Sequence, residues 1–182
     1  MIKNLTITAL LSLVLTGCGG NQTGVLDTSK LEKVEYEHLT KEGEKKLPIL
    51  YDAPSLKVGR NALPYEMKLP KKFPFKVYRY AFNIRDLKHD GKHLRATFVA
   101  DVKDENAKFQ FKIEASHPIE KNNLINVTEI KLDDKVRGEY KGNTLYFQLK
   151  GVSYKIIYWN EEISKEQQQK EIIDMANEII YN

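Results

Sequence analysis

Alternation with a period of two governs more of this chain than any other signal. Leu94, Ala96, Phe98, Ala100 and Val102 fall on one face of an extended segment. Phe109, Phe111, Ile113 and Ala115 share a face, with Lys108, Gln110, Lys112 and Glu114 opposite. Residues 78–84 (YRYAFNI) likewise set aromatic and aliphatic side chains against largely polar ones. Strict alternation means strands with one buried and one wet face, and so an antiparallel sheet. Asp90-Gly91 and Asp104-Glu105-Asn106 lie between such runs and read as hairpin connections. More strands are expected over residues 125–132, 135–140, 144–150 and 152–159, with turns at Lys141-Gly142-Asn143 and Gly151. No helix interrupts them, so the expected order is a meander.

The pattern changes twice outside this region. Ser164 followed by Gln167 makes a capping box, and Glu166 in the first turn suits the helix dipole. Ile172, Ile173, Met175, Ala176, Ile179 and Ile180 then recur at helical spacing. Such a stripe needs an apolar partner, and the buried sheet face supplies one. The expected fold is therefore α+β, a curved antiparallel sheet with a C-terminal helix packed on one face. Upstream, five of the six prolines (Pro48, Pro54, Pro64, Pro70 and Pro74) fall within residues 30–74. Proline fixes φ and lacks the N–H, so this zone reads as short edge strands and turns. Residues 31–38 suit a strand or a short helix equally.

The N-terminus carries a different kind of information. Lys3 gives a short positive n-region, and residues 5–15 (LTITALLSLVL) form an apolar run. Spanning the ~30 Å hydrocarbon core takes about 20 apolar residues, so this run is too short to cross. It has the order of a secretory signal peptide. Leu15-Thr16-Gly17-Cys18 follows, with the only cysteine of the chain last. This segment resembles the lipobox of bacterial lipoproteins, in which a branched apolar residue and small residues precede an invariant cysteine. The resemblance implies that the Cys18 sulfur carries a diacylglyceryl group and that cleavage falls between Gly17 and Cys18. A thiolate is the nucleophile such a lipid transfer needs, and two acyl chains suffice for stable anchoring. No Asp follows Cys18, and the chain is rich in Lys, Ile and Asn. The expected location is the outer face of the cytoplasmic membrane of a Gram-positive bacterium. Residues 18–29 read as the lipidated cysteine and a flexible tether, ahead of a single globular domain over about residues 30–182.

A second resemblance rests on looser features: Leu69-Pro70-Lys71-Lys72-Phe73-Pro74-Phe75, then the strands, Gly151-Val152-Ser153-Tyr154, Trp159 and a last helix with Met175-Ala176. Residues 65–181 look like the small domains of Gram-positive surface and sporulation lipoproteins. Those are distantly similar to the lipoprotein-carrier and sigma-regulator fold, a half-barrel sheet wrapped on helices. No functional residue carries over from it.

Chemistry-bearing motifs are sparse. A lone cysteine leaves no disulfide framework and no multi-cysteine metal site. His89 and His93 have metal-pair spacing, but Asp90-Gly91 between them reads as a turn, and no third ligand is evident. Ser116 and His117 are adjacent, so in a strand they point to opposite sides. Asp101, Asp104, Glu105, Asp133 and Asp134 sit at expected turns, where Asp bonds its own backbone. There is no phosphate loop or dinucleotide fingerprint, and neither a cofactor nor a metal is expected. The net charge of +4 is too small and too mixed for a nucleic-acid binder. One basic stretch, Lys68, Lys71, Lys72, Lys76 and Arg79, interleaves with Phe73, Phe75, Tyr78 and Tyr80. It reads as an edge strand guarded by lysines with its aromatics in the core, or as a patch for anionic lipid or wall polymer. The function expected from these residues is a non-enzymatic, membrane-anchored module that binds a ligand or an envelope protein. The alternatives are a small cell-envelope hydrolase and a lipid-carrier-like or sigma-regulator-like sensor domain.

Overall fold

The computed structural model describes residues 24–104, 107–120 and 124–182. Nine strands form one open antiparallel sheet: β1 (Glu32–Val34), β2 (Ile49–Asp52), β3 (Arg79–Asp86), β4 (Leu94–Asp101), β5 (Phe109–His117), β6 (Thr128–Lys131), β7 (Arg137–Lys141), β8 (Thr144–Leu149) and β9 (Val152–Asn160). Three helices accompany it: α1 (Lys41–Glu44), α2 (Leu56–Ala62) and α3 (Lys165–Tyr181). The spatial order is β1-β2-β3-β4-β5-β9-β8-β7-β6. The chain thus runs as two meanders, and residues 118–127 carry it once from the middle of the sheet to its far edge.

Turn chemistry explains the local connections. Lys150 and Gly151 both have positive φ (48° and 83°), as a two-residue type I′ hairpin between β8 and β9 requires. Between β3 and β4 the buried Asp86 carboxylate accepts from the Lys88, Asp90 and Gly91 N–H groups at 3.3, 3.2 and 2.8 Å. A buried carboxylate in place of a tight turn holds the loop by charge-assisted bonds.

The apolar face is filled. Phe82, Ile84, Leu94, Phe98, Ile113 and Ile156 are all buried on it. α3 lays Ile172, Met175, Ala176 and Ile179 against β8 and β9. Ser164 caps α3 by accepting from the Gln167 N–H at 3.2 Å. The Gln167 side-chain amide points along the helix instead of back to the cap, its Nε2 donating to Glu171 at 2.7 Å. The Pro-rich residues 63–78 form an irregular strap across the rest of the face. Tyr65 Oη donates to the Ala115 carbonyl at 2.8 Å, and Tyr154 Oη accepts from the Lys68 N–H at 2.9 Å. Glu178 of α3 accepts from the Lys71 and Lys72 N–H groups at 2.8 and 3.0 Å. An extended strap without strand partners needs such side-chain acceptors for its backbone.

Several expectations are corrected here. β2 is not an edge strand, since it pairs with both β1 and β3; Pro48 and Pro54 stand just outside it and cost it no ladder bond. Residues 31–38 supply a strand, β1, at the sheet edge. The zone also holds a helix, α2, which Ser55 caps and Pro64 ends by forcing Leu63 into extended backbone. The tether does not reach Ser29: Leu26 is buried and donates to Gly91 at 2.8 Å, and Asp27 donates to Ala62 at 2.9 Å. Tyr78 and Tyr80 do not continue the buried face of β3 and are 61% and 52% exposed. The strap's Phe73 and Phe75 occupy that end of the core instead, against Phe98, Phe109, Phe111 and Tyr158.

Candidate functional site

The other face of the sheet is mainly polar along its middle rungs, with Leu50, Val99 and Ile157 among its apolar members. One rung crosses all nine strands as Glu32, Asp52, Asn83, Thr97, Glu114, Lys155, Tyr146, Glu139 and Glu129. The next rung carries Leu50, Arg85, Arg95, Ser116, Ser153 and Gln148. A polar face of this kind is normally wet. Here its centre is not: Glu114 is 8% exposed and Thr97 4%, and Ser116 and Ser153 are also buried. Ion-paired neighbours on the same face and Glu120 lie against them.

Two ion-pair groups organise the centre. Arg95 Nη2 donates to both Glu120 carboxylate oxygens at 2.9 and 2.7 Å, and its Nε donates to Ser116 Oγ at 3.3 Å. The Glu120 N–H donates to Ser153 Oγ at 3.2 Å. The crossover is therefore fastened onto the polar face by its own glutamate. In the second group Glu114 pairs with Lys112 at 2.9 Å and with Lys155 at 3.7 Å. Burial alone would push the Glu114 carboxyl up, but the hydrogen bond and charge of Lys112, with Lys155 and Arg95, outweigh it and hold the carboxyl below its ordinary range. Lys155 Nζ also lies 5.7 Å from the Tyr146 ring centroid, a cation–π contact. Burial and the Glu114 charge raise the Tyr146 phenol.

Two adjoining concavities open on this face. One, of about 180 Å³, is lined by Arg95, Glu114, Ser116 and Lys155. The other, of about 460 Å³, is lined by Glu129, Lys135, Arg137, Glu139 and Gln148. Glu120, Tyr146 and Ser153 line both. Asn83 Oδ1 and Thr97 Oγ1, directly opposite one another in the ladder, are buried and find no hydrogen-bond partner among the described residues.

The residues singled out by sequence lie elsewhere. The lipobox residues Leu15, Thr16, Gly17 and Cys18 fall outside the described residues, as do Glu105 and Asn106. The basic stretch is not assembled as one strand. Lys68 is buried, Arg79 pairs with Asp101 at 2.8 Å, and the exposed remainder is Lys71, Lys72 and Lys76 beside Tyr78 and Tyr80. The expected edge strand is corrected to the irregular strap, although Phe73 and Phe75 do enter the core. His89 Nε2 lies 2.6 Å from the Leu47 carbonyl, and His93 Nδ1 lies 2.6 Å from Asp90 Oδ2. The two rings thus serve separate partners across the turn. Hydrogen bonds from the His93 and Lys92 N–H groups hold the Asp90 carboxyl far down. Ser116 faces Arg95, whereas the His117 ring bonds the Gly151 carbonyl at 3.0 Å and lies 5.2 Å from Tyr65. No group of three or more metal-ligating side chains occurs among the described residues. Nor is any helix among them long and apolar enough to cross a membrane.

The polar face was only partly visible beforehand. Lys112 and Glu114 read as the wet side of their strand. The signal for more was a run of long and short polar residues at alternate positions on three strands that the ladder makes neighbours. No protein-family model matches the chain, and no curated protein or solved structure matches it.

Proposed function

We propose that this chain is a bacterial lipoprotein, anchored through Cys18 to the outer face of the cytoplasmic membrane, whose domain is a non-enzymatic binding module. The anchor rests on the Leu15-Thr16-Gly17-Cys18 lipobox and the apolar run before it. The observation that carries the binding role is the polar face, where half-buried ion pairs hold the walls of two adjoining concavities in place before any ligand arrives. Preorganised polar groups lower the ordering cost of binding. A carrier of apolar lipid would use the other face, and the strap and α3 already fill that face. A hydrolase built on a Ser–His pair would need a histidine here, and His38, His89, His93 and His117 line neither concavity.

Two measurements test the proposal. Metabolic labelling with a palmitate analogue should mark the wild-type protein and fail with Cys18→Ala, which leaves the membrane fraction. Retention of Cys18→Ala on membranes through an alkaline wash would refute the anchor. Hydroxyl-radical footprinting should show Tyr146 protected in intact cells relative to the purified protein. Equal reactivity in both settings would remove the polar face as a binding surface.

A further inference from the structure

The geometry points to a neutral oligosaccharide as the ligand of the polar face, an assignment that rests on the binding role proposed above. The two concavities are lined by four cations and four carboxylates, so the site has no net charge to offer. Three of its four cations, all but Lys135, are also already engaged. Arg95 is held by Glu120 at 2.7 Å and, more loosely, Lys155 by Glu114 and Arg137 by Glu129, both at 3.7 Å. An anionic ligand would have to break these pairs and leave a half-buried carboxylate uncompensated.

A polyhydroxylated ligand makes no such demand. Ion-paired Arg and Glu side chains keep spare donors and lone pairs, and Gln148 and the Tyr146 hydroxyl both donate and accept. Hydroxyl groups of a sugar can use all of these with the ion pairs intact. Tyr146 lines both concavities, so an aromatic ring stands at their junction, where the apolar face of a sugar ring can rest. Together the two volumes fall within the ~300–1,000 Å³ usual for small-ligand sites.

A peptide fits less well. Extended peptides dock by pairing with a strand edge or by filling apolar pockets. The smaller concavity lies over the interior of the sheet, where the strands have their backbone groups paired, and the larger extends to Glu129 of the edge strand β6 but offers only Val136 and Phe147 as large apolar lining besides Tyr146.

The test uses the full lipidated chain in a detergent without a sugar headgroup. The probes are a glucose tetramer, an N-acetylglucosamine tetramer, a zwitterionic pentapeptide and a short polyphosphate. Binding is followed by NMR shifts of residues 146–155 and by calorimetry. At least one tetrasaccharide is expected to bind, with affinity changing less than about twofold between about 50 and about 500 mM NaCl, because screening acts only on charge. Tyr146→Ala and the exposed Gln148→Ala should each weaken it by about tenfold, while Asp174→Ala on α3 should leave it unchanged. Because Gln148 is exposed, its loss cannot be ascribed to unfolding. If only the pentapeptide or the polyphosphate moves these resonances, the face binds a ligand but the sugar assignment is overturned. If none of the four moves them, the sugar assignment is overturned, while the binding role stands or falls by the footprinting of Tyr146 in cells and the anchor by its labelling result.

Discussion

Replacing Glu114 by Gln removes one charge from the centre of the sheet and changes almost no volume. It leaves Lys112 and Lys155, both within ion-pair distance of the lost carboxylate, without their counter-charge. Breaking a fully buried pair costs about 3–5 kcal/mol, and an exposed pair contributes only about 0–1 kcal/mol. Glu114 is buried to a side-chain exposure of 10%, but its partners are 29% and 34% exposed. The site lies between these limits, and about 2 kcal/mol is expected at neutral pH. For a domain of this size that lowers Tm by roughly 4–8 °C. The pH dependence gives a sharper test. The folded Glu114 carboxyl titrates below the ordinary 4.5. A depressed carboxyl stabilises the fold above the unfolded value and loses that contribution as pH falls through the folded one. The gap between wild type and Glu114→Gln should therefore be full near neutrality and close as pH drops below 4.5. Urea unfolding at several pH values, followed by circular dichroism, measures it. Adding Lys112→Met should recover part of the loss, a coupling of at least about 0.5 kcal/mol. A gap that stays constant or widens on acidification would refute the electrostatic account of this cluster.

Further substitutions probe the two faces separately. Gly59→Ala should destabilise by about 1–3 kcal/mol despite alanine's better helix propensity. A Cβ there would stand 2.2 and 2.6 Å from Phe82 ring carbons and 2.9 Å from the Ala53 Cβ, so α2 would have to lift off β3; an unchanged or higher melting temperature would show that the helix has slack. Thr97→Val should be neutral or stabilising by up to about 1 kcal/mol, because it deletes a buried hydroxyl that finds no partner among the described residues. A clear loss on denaturant unfolding would mean that the hydroxyl is satisfied after all. Tyr154→Phe should cost about 1–2 kcal/mol by orphaning the Lys68 N–H that the phenol accepts at 2.9 Å. Burial pushes that phenol up to about 12, so the cost should be flat across neutral pH, and a pH-dependent loss would contradict the assignment.

Most of the sheet was legible in the sequence because its cause is local. Alternation on β4, β5 and β9 follows from the pleat, and Gly142 and Gly151 mark turns that need positive φ. The helix was legible from Ser164 and the Ile172–Ile180 stripe for the same reason. What escaped has non-local causes. Nothing near Leu26 reports that Gly91 and Ala62 will meet it. Tyr80 alternates correctly with Phe82 and Ile84, yet the core position it would take belongs to strap residues arriving from outside the strand. The pairing of β5 with β9 is equally silent, since the intervening residues form a sound meander whichever neighbour they choose.

That one pairing decides the character of the polar face. If β5 had simply been followed by β6 in space, Glu114 would have faced the short strand Thr128–Lys131 instead of β9. By sending the chain to the far edge and back, the fold sets Lys155 of β9 directly beside Glu114 and Ser153 beside Ser116. The same excursion begins with Glu120 on the face, where it meets Arg95 and Ser153. Each residue involved reads individually as the solvent-facing member of an alternating pair. Only the ladder makes them adjacent, and adjacency converts exposed charges, each contributing little, into a fixed and partly desolvated array. Topology, rather than any motif, therefore gives this chain its preorganised polar face.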